Sequence, residues 1–335
     1  MIQFDDFDLS RITTFHLPAR AYKYIEYTSV DELKDVLCKY SDHKIFHIGG
    51  GSNILFTGDY DGVVLHSAMK GIEIIAEYPD GSVSIEALSA TIWDDFVGWT
   101  VERGLYGAEN LSGIPGEVGA SAIQNIGAYG VEAKDLIESV KLLDRTNMET
   151  VALPASELGY DYRHSIFKTP QYRDRYIVTS VIYRLSRNPH FTLTYGPLRQ
   201  IADEGDLTLA AMRQRIIAIR DSKLPNPDIE GNAGSFFKNP VINSRKYHTL
   251  RDSYPDIPGY ELHDNMVKIP AAWLIEHSGM KGASIGDAMV YPRQCLVIIN
   301  RGKATSSDVV ALCRKVQSAV ADKFAIDLQP EVIFV

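Results

Sequence analysis

Residues 231–240 bring several groups suited to an anionic ligand onto one glycine-containing stretch. The stretch reads Gly-Asn-Ala-Gly-Ser-Phe-Phe-Lys-Asn-Pro. Glycine permits tight, unusual backbone dihedral angles, so a constrained turn there can present the Ser235 hydroxyl to a ligand. The Lys238 ammonium and the Asn239 amide can then meet anionic oxygen. On spacing alone, a plain loop before a helix, with both phenylalanines in the core, explains the stretch more simply.

A second glycine-rich stretch, residues 49–53, reads Gly-Gly-Gly-Ser-Asn directly after a predicted strand. Its consecutive backbone N–H groups form the kind of concavity that binds a pyrophosphate. It is not a Walker A loop, because no Gly-Lys-Ser/Thr follows. It is not a dinucleotide-binding fingerprint either, because Ile54 occupies the place of the third glycine. A tight turn is the alternative interpretation.

Residues 112–130 contain five glycines and many other small residues, with Gln124 and Asn125 embedded among them. Small side chains let the backbone approach something large and flat. A flavin ring with its phosphates is a good candidate, because its heterocycle needs hydrogen bonds from backbone and amide groups. The alternative is close packing of two structural elements through small side chains.

Two charged residues stand in unusual surroundings. Arg163 lies among aromatic residues, where capping a helix or pairing with Asp161 is the commoner role of an isolated arginine. Glu331 interrupts an apolar C-terminal stretch, so its carboxylate is either on an exposed strand face or held in a pocket for a purpose. No metal site is expected, since five histidines without metal-binding spacing are interpreted as structural or surface residues: His47, His66, His164, His248 and His277.

The predicted helices and strands must position these groups. After a short N-terminal arm, apolar patterning predicts strands at residues 44–48, 63–66, 71–76, 82–87, 139–144, 149–153, 176–185, 295–300 and 328–335. Apolar residues at helical spacing predict helices near residues 30–40, 93–101, 209–219, 271–278 and 309–324. Capping boxes at residues 29–32 and 91–94 mark two helix starts, and Gly104 and Gly279 mark two helix ends.

Changes of pattern predict boundaries near residues 70 and 203. The first part, with one helix between two strands, is a small α/β unit, and the second is a mixed α+β layer. The chain of 335 residues is long enough for two or three domains with ample core.

Composition narrows the functional class. A net charge of −9 argues against a nucleic-acid-binding protein, which normally carries a basic face. Three widely spaced cysteines fit a reducing cytoplasm and argue against a disulfide framework or a zinc site. The acidic N-terminus lacks a signal-peptide pattern, and no apolar run reaches transmembrane length. We therefore expect a soluble, cytoplasmic, multidomain protein without membrane association.

Taken together and in this order, these segments resemble the UDP-N-acetylenolpyruvoylglucosamine reductase family of bacterial cell-wall synthesis. The resemblance covers nearly the whole chain, and residues 231–240 and 123–130 carry most of its weight. It extends over residues 14–15, 49–53, 112–130, 162–168, 195–198, 222–225, 231–240, 271–282 and 330–331. The chain departs from the family pattern at Thr13, Ala122 and Tyr291. The first two would adjust the geometry of the flavin loops without removing a catalytic group, and Tyr291 has no physical explanation.

The resemblance implies an α+β fold. Two FAD-binding subdomains of the vanillyl-alcohol-oxidase-like type, residues 1–70 and 71–203, would precede an α+β substrate-binding domain, residues 204–335. FAD would be held noncovalently, NADPH would be the co-substrate, and the protein would be a monomer. The residues expected to contact FAD are Gly49, Gly50, Gly51, Ser52, Asn53, Ser112, Gly113, Ile114, Pro115, Gly116, Gly119, Ala120, Gln124, Asn125, Gly127, Ala128 and Tyr129.

The resemblance also implies a reaction. NADPH would reduce the flavin, and the enolpyruvyl ether of UDP-N-acetylglucosamine would then take the hydride to give UDP-N-acetylmuramate. Ser235 matches the family's proton donor, and Arg163 and Glu331 match the pair that acts on the enolpyruvyl carboxylate. The predicted substrate-binding residues are Tyr129, Tyr162, Tyr195, Lys223 and Asn239. Tyr195 belongs to the family's longer-loop variant, in which a tyrosine folds over the substrate.

Two alternatives are an oxidase or dehydrogenase of a small alcohol or hydroxy acid on the same flavin fold, and a non-catalytic protein that binds a nucleotide sugar. A small substrate has no diphosphate for Tyr195, Lys223 and Asn239 to hold. A binding protein would give Ser235, Arg163 and Glu331 no shared reason to be present.

Overall fold

The computed structural model describes residues 1–194, 196–201 and 207–335, and it divides the chain into two compact units. Each unit combines three separate stretches of chain. The first unit contains Met1–Phe7, Ala21–Gly50 and Asp61–Ser222, and the second contains Asp8–Arg20, Gly51–Tyr60 and Lys223–Val335. The division into three domains at residues 70 and 203 stays a prediction.

A four-stranded sheet lies mostly in the first unit. Its strands, in spatial order, are Ile2–Asp8, Arg20–Tyr27, Tyr60–Ser67 and Ile45–Ile48. The last two strands are parallel, and Ile48 pairs with His66. The expectation of a short N-terminal arm was therefore wrong, because the first 27 residues supply two strands of this sheet.

The helix Val30–Lys39 packs on this sheet, as its apolar spacing predicts. The Ser29 hydroxyl accepts from the Glu32 amide at 3.1 Å and so caps the helix start. Leu33, Val36 and Leu37 form its buried face.

A five-stranded antiparallel sheet forms the centre of the first unit. Its order is Glu149–Pro154, Ile137–Asp144, Tyr176–Ser186, Ser82–Leu88 and Ile72–Glu77. Trp93 and Phe96, from the helix Trp93–Glu102, pack against Tyr183 in its fully buried core. These strands lie within two residues of their predicted bounds, because each combines apolar patterning with turn residues.

The helix Trp93–Glu102 does not begin with the predicted capping box. Its N-cap is Ile92, which makes no side-chain capping bond. The Thr91 hydroxyl instead donates to the Gly71 carbonyl and accepts from the Gly71 amide, both at 3.1 Å. The Thr91 hydroxyl, which the local pattern assigned to capping this helix, therefore bonds to the distant Gly71 backbone.

The first unit has further helices at Val118–Gln124 and Leu209–Lys223 and a small hairpin of Gly127–Ala128 with Val131–Glu132. The helix Val118–Gln124 was not predicted. Short 3₁₀ helices complete the unit: Glu109–Leu111, Ala133–Asp135, Ala155–Glu157, Ile166–Lys168 and Gly196–Ile201.

The second unit contains three sheets, described here by their strand order. The largest consists of Gly231–Ser235, Val297–Asn300, Ala288–Val290 and Ser284–Ile285. The second consists of Val241–Asn243, Met266–Lys268 and Tyr260–Glu261, and the third pairs Ile333–Phe334 in parallel with Ile54–Leu55. The predicted strand at residues 328–335 is thus shorter than expected, since only two of its residues join a sheet.

The α-helices of the second unit are Ser244–Ser253, Ala271–His277 and Ser306–Phe324, with a 3₁₀ helix at Leu9–Arg11. Thr305 and Asp308 form a reciprocal capping box at the start of the last α-helix. Phe236, Phe237, Leu274 and Phe324 are almost completely buried in the core of this unit.

Candidate active site

In the first unit, the structure brings together two segments that were predicted to hold the cofactor. A Cβ atom at Gly50 would lie 3.2 Å from the Cα atom of Gly116. A Cβ atom at Gly49 would lie 3.3 Å from Oε2 of Glu117 and 3.5 Å from Cβ of Ala120. The two segments are therefore in backbone contact, and larger side chains at Gly49 and Gly50 would fill the space beside them.

The helix Val118–Gln124 depends on small residues for its position. The Gly119 amide donates to the Ser89 carbonyl at 2.9 Å, and a Cβ atom at Gly119 would lie 3.1 Å from Cβ of Ser89. Such a contact is tighter than normal packing allows. For Gly119, close packing therefore accounts for the residue type without a ligand.

Gln124 and Asn125 end this helix and differ in their bonding. The Gln124 side-chain oxygen is buried and has no hydrogen-bond partner among the described residues. Asn125 is fully buried and has a left-handed backbone with φ of 44°. Its amide donates to Glu132 at 2.8 Å and to the Asp161 carbonyl at 2.9 Å, and its oxygen accepts from the Lys134 amide at 3.0 Å. The Asn125 side chain thus holds neighbouring segments together. The Gln124 side-chain oxygen can accept a hydrogen bond from a ligand.

The start of the glycine-rich stretch is fixed by polar contacts. The fully buried Ser112 donates through its hydroxyl to the Glu109 carbonyl at 2.6 Å. The Gly113 amide donates to Asp94 at 2.6 Å, and Arg213 makes two bonds to the same carboxylate, at 2.6 and 2.8 Å. Burial alone would raise the pKa of Asp94, but the Arg213 and Gly113 hydrogen bonds lower it below its usual range.

The remaining predicted residues of this stretch also have backbone roles. Ile114 and Pro115 lead to Gly116, whose φ is 120° and whose carbonyl accepts from the Trp93 amide at 3.0 Å. Gly127 and Ala128 form one strand of the small hairpin. A Cβ atom at Gly127 would lie 2.9 Å from Cγ of Glu132, so only glycine fits there.

Tyr129 follows with φ of 50°, and its ring packs against a cluster that includes Met212 and Ile216. The amide of the buried Asn110 donates to the carbonyls of Tyr129 and Thr192, at 2.9 and 2.8 Å. The Asn110 oxygen is buried without a partner in the described part of the chain. Sequence analysis missed Asn110, because nothing in its local sequence marks it.

Arg163 occupies a turn between the paired residues Asp161 and His164, with a left-handed φ of 52°. Its guanidinium donates to the carbonyls of Asn125 and Gly127, at 3.2 and 3.0 Å. These two bonds attach the guanidinium to the glycine-rich stretch. A left-handed arginine costs free energy that a protein retains most often at functional sites.

Two more bonds support this turn. The Lys168 ammonium donates to the Arg163 carbonyl at 2.9 Å, and the Ser165 hydroxyl donates to the Ile123 carbonyl at 2.7 Å. The Arg163 guanidinium also lies 5.8 Å from the ring centre of the half-buried Tyr162. The turn is thus attached to the glycine-rich stretch at several points.

In the second unit, Ser235 ends the strand Gly231–Ser235 after an irregularity in its pairing. Gly234 has φ of 66°, and its amide donates to the Asn232 side chain at 3.0 Å. The Thr14 hydroxyl donates to the Asn232 carbonyl at 2.6 Å. The stretch is a strand with a bulge instead of a plain loop, and a bulge redirects the side chain that follows it.

Glu331 lies beside this bulge. Its backbone N–H donates to the Phe236 carbonyl at 2.8 Å, and Phe237 forms an antiparallel bridge with Pro330. The Asn53 amide donates to the Glu331 carbonyl at 3.3 Å. The structure therefore brings the predicted catalytic residues Ser235 and Glu331 into one part of the second unit.

Asn53 belongs to the glycine-rich stretch 49–53, in which the fold also restricts the residue type at Gly51. Gly51 has φ of 61°, and a Cβ atom there would lie 2.0 Å from the Ile12 carbonyl oxygen. The fold therefore requires glycine at this position. Ser52 follows it as a half-buried residue.

The predicted substrate-binding residues of the second unit differ in position. Lys223 is exposed at the end of the helix Leu209–Lys223. The Asn239 side-chain oxygen accepts from the Ala271 amide at 2.9 Å, at the start of the helix Ala271–His277. Tyr195 lies outside the described residues.

Glu117 and His66 are the further polar residues that sequence analysis did not assign to the site. Glu117 was passed over inside the glycine-rich stretch, and His66 was interpreted as structural. Nε2 of His66 lies 2.9 Å from Oε1 of Glu117. In the sequence, the carboxylate directly after Gly116 was the signal that could have identified Glu117.

The described residues contain no cluster of three His, Cys, Asp or Glu side chains that could hold a metal ion. Within the same ranges, no helix has the length and apolar character needed to cross a membrane.

The residues of the first unit fit a flavin dinucleotide. Gly49 and Gly50 leave open the space that side chains would fill, which suits the close approach of a diphosphate to the backbone. The buried oxygens of Gln124 and Asn110, which lack partners among the described residues, can accept hydrogen bonds from a heterocycle or a ribose.

Comparisons with known proteins agree with this assignment. A sequence model described as an FAD binding domain matches residues 22–151, and one described as the C-terminal domain of UDP-N-acetylenolpyruvoylglucosamine reductase matches residues 226–335. The chain thus carries an FAD-binding domain, and the α+β fold with an FAD cofactor is confirmed.

Relatives named UDP-N-acetylenolpyruvoylglucosamine reductase match over almost their full length. The Bacteroides fragilis protein is 47% identical, with 96% of this chain and 97% of the relative covered. The Porphyromonas gingivalis protein is 44% identical, with 98% of each chain covered. The crystal structure of the Thermus caldophilus reductase has a TM-score of 0.67 at 23% identity, with 99% of this chain and 98% of that chain covered, and so shares the fold.

The expected resemblance is confirmed. By its identity to these relatives over nearly its whole length, the chain belongs to the UDP-N-acetylenolpyruvoylglucosamine reductase family.

Proposed function

We propose that this chain reduces the enolpyruvyl group of UDP-N-acetylglucosamine-enolpyruvate to the lactyl ether, with NADPH as the reductant. The product is UDP-N-acetylmuramate, a precursor of peptidoglycan. Family membership supports the reaction type. The observation that carries the assignment of residues is the bond from the Glu331 amide to the carbonyl of Phe236, the neighbour of Ser235.

Bound FAD would supply the methylene carbon of the substrate with the hydride that NADPH provides. We assign the binding of FAD to residues from two glycine-rich stretches. They are residues 49–53 from the first stretch and residues 112–116, 119, 120, 124, 125 and 127–129 from the second. The close approach of Gly50 to Gly116 and the buried oxygen of Gln124 support this assignment.

Arg163 stabilises the charge that develops in the substrate. Hydride addition to the methylene carbon leaves carbanion character on the neighbouring carbon, and this charge spreads into the attached carboxylate. A fixed cation beside that carboxylate lowers the barrier, because it needs no reorganisation as the charge grows. Its bonds to the Asn125 and Gly127 carbonyls orient the guanidinium for this role.

Ser235 donates the proton that completes the reduction. A serine hydroxyl is a weak acid, but the carbanion-like carbon is a strong base, so the transfer runs downhill. General acid catalysis of this kind contributes about 10²–10⁴-fold to the rate. Glu331 acts with Arg163 on the enolpyruvyl carboxylate of the substrate.

The substrate is a UDP-sugar, and its diphosphate needs cationic and hydrogen-bonding groups. We assign Lys223, Asn239 and Tyr195 to the diphosphate, and Tyr129 and Tyr162 to further substrate contacts. The reaction takes place in the cytoplasm, where NADPH is available and where the three free cysteines, Cys38, Cys295 and Cys313, stay reduced. The protein acts as a monomer.

The Ser235→Ala variant tests the proposed function by separating the two half-reactions. In the absence of oxygen, NADPH should still bleach the flavin absorption, because the hydroxyl has no part in that step. The enolpyruvyl substrate should then restore the absorption about 10²-fold or more slowly than in the unmodified protein. Ser318→Ala, at an exposed position on the last helix, is the matched control. Loss of the first step instead would remove Ser235 from the role of acid.

A further inference from the structure

A tyrosine and an arginine on one loop of the second unit form a pair that the proposed function does not use. The loop, residues 291–296, joins the strands Ala288–Val290 and Val297–Asn300. Tyr291 is 4% exposed, and its hydroxyl oxygen accepts from Nε of Arg293 at 2.6 Å and also from Nη2. The guanidinium lies 5.1 Å from the centre of the tyrosine ring. The departure from the family pattern at Tyr291 thus has a structural partner in Arg293.

This contact uses one edge of the Arg293 guanidinium and leaves another edge open. The N–H groups of arginine lie in one plane and form a rigid fork. The Tyr291 oxygen takes the N–H of Nε and one N–H of Nη2, which lie on the same edge. The end of the fork has N–H groups on both terminal nitrogens, and it has no hydrogen-bond partner or ion pair in the described part of the chain. Two parallel N–H groups of this kind match two oxygens of a phosphate.

Tyr291 is a firm support for the guanidinium, because both its backbone and its ring are held. Its N–H donates to the Val297 carbonyl at 2.9 Å, and its carbonyl accepts from the Gln294 N–H at 3.2 Å. Its ring belongs to a buried cluster with Val297 and Ile299. An arginine that is already held loses less rotamer freedom when it binds a ligand, so Arg293 is prepared for binding.

The C-terminal end of this loop lies beside Ser235. Val297, directly after the loop, pairs with Ser235 in neighbouring antiparallel strands. Leu296, the last residue of the loop, accepts through its carbonyl from the Phe236 N–H at 2.6 Å. The loop that carries Arg293 is therefore attached to the stretch that carries the proposed proton donor.

The start of the loop is connected to Lys223, which we assigned to the substrate diphosphate. Leu224, which directly follows Lys223, packs against the buried cluster that contains Tyr291. One apolar cluster thus supports both the backbone beside Lys223 and the tyrosine that holds Arg293. Two cations in this part of the unit suit a ligand that carries more than one negative charge.

We infer that Arg293, oriented by Tyr291, binds a phosphate group of a nucleotide ligand in the second unit. Arg293 is then a further binding residue of the proposed reaction, and Tyr291 is a positioning residue that acts through it. This inference rests on the proposed function, because that function supplies the ligand. The UDP-sugar and NADPH both carry phosphate groups, and the test separates the two sources.

The experiment measures ligand binding by the full-length protein with FAD bound. One arm titrates the oxidised protein with UDP-N-acetylmuramate in a calorimeter and gives its dissociation constant. The other arm mixes the protein with NADPH in the absence of oxygen, and the dependence of flavin reduction on NADPH concentration gives an apparent dissociation constant. Arg314→Gln, at an exposed position on the helix Ser306–Phe324, is the matched control and should leave both constants unchanged.

Arg293→Gln should raise at least one of the two dissociation constants by about tenfold or more, because a charge-assisted, two-point contact is lost. The ligand whose constant rises is the source of the phosphate group. Arg293→Lys should retain the charge but lose the fork, so its affinity should lie between those of the unmodified protein and Arg293→Gln. Added salt should weaken binding by the unmodified protein more than binding by Arg293→Gln.

Tyr291→Phe tests the positioning role. It keeps the buried ring but removes the oxygen that holds the guanidinium. The same dissociation constant should rise by about threefold or more, because Arg293 must then be ordered when the ligand binds. In the Arg293→Gln background, Tyr291→Phe should have no further effect, since it acts only through Arg293. A structural defect would instead add to the effect of Arg293→Gln.

The inference is overturned if Arg293→Gln binds both ligands as tightly as the Arg314→Gln control, which is the result for an arginine that only stacks on a tyrosine at the surface. It is also overturned if Tyr291→Phe has no effect, or if it weakens binding equally in both backgrounds. Thermal unfolding of each variant checks that it is folded. Unmodified protein that binds neither ligand would instead contradict the proposed function, so the two failures are distinguishable.

Discussion

The backbone N–H of Glu331 donates to the carbonyl oxygen of Phe236 at 2.8 Å. This bond joins the C-terminal segment to the residue directly after Ser235. Two predicted catalytic residues, separated by almost a hundred positions in the chain, are thereby held close together by a backbone bond. Neither side chain takes part in this bond, so a substitution at Ser235 or Glu331 leaves its donor and acceptor in place.

Gly234→Ala should disturb the direction of Ser235 without removing its hydroxyl. Gly234 has φ of 66°, and no described heavy atom lies within 4 Å of a Cβ atom placed there. The free energy of unfolding should fall by about 1–2 kcal/mol, the cost of a left-handed alanine. Reoxidation of the reduced flavin by the enolpyruvyl substrate should slow by about tenfold or more, since small misplacements of reacting groups are costly.

Gly104→Ala is the matched control, because Gly104 has φ of 67° and the same open surroundings among the described residues. It should lose similar stability in chemical denaturation, yet its reoxidation rate should be unchanged. Equal reoxidation rates for both variants would mean that the bulge does not direct Ser235.

Arg163→Lys should retain the positive charge but lose the paired geometry. A single ammonium lacks the planar fork that donates to the Asn125 and Gly127 carbonyls. Stopped-flow absorbance should find normal flavin reduction by NADPH and reoxidation slowed by about 10²-fold. Arg173→Lys, at an exposed site, is the control. Loss of bound flavin with normal reoxidation of what remains would assign Arg163 to the cofactor loop alone.

Asp94→Asn should weaken the attachment of the glycine-rich stretch and change its response to acid. The carboxylate accepts from the Gly113 amide and from Arg213, so its loss should lower the free energy of unfolding by about 1–3 kcal/mol. The pKa of Asp94 is lower in the folded protein than in the unfolded chain. Its contribution is therefore complete above the unfolded pKa, near 3.8, and is lost as pH falls through the folded value.

Urea unfolding at neutral pH and at decreasing pH measures this effect. The variant should be the less stable protein at neutral pH, and the difference should shrink in strong acid. A difference that is constant with pH would contradict a charged role for Asp94. Asp252→Asn, at an exposed position, is a suitable control.

Local patterns predicted the elements whose positions depend on their own sequence. The helix Ser306–Phe324 was found because Val309, Val316 and Phe324 keep one apolar face. The strand Ile2–Asp8 was missed because its Gln and Asp residues hide any alternation, and most of its side chains are exposed. The helix Val118–Gln124 was missed because glycine and alanine serve its packing against Ser89, which only the tertiary structure reveals.

For the candidate site as well, the sequence predicted residue types but not the long-range contacts between them. The residue types at Ser235, Arg163 and Glu331 were recognised from an ordered set of segments in the sequence. The bonds from Arg163 to Asn125 and Gly127 cross 38 and 36 positions of sequence, so no local pattern could have predicted them. His66 and Glu117 are 51 positions apart, on a strand and at the start of a helix, so no local pattern could have predicted their contact.

The visible absorption spectrum of the purified protein, before and after NADPH in the absence of oxygen, tests the central claim most directly. The account predicts a flavin spectrum that NADPH bleaches and that UDP-N-acetylglucosamine-enolpyruvate restores. A flavin that NADPH does not reduce, or a colourless protein that fails to take up added FAD, would contradict it.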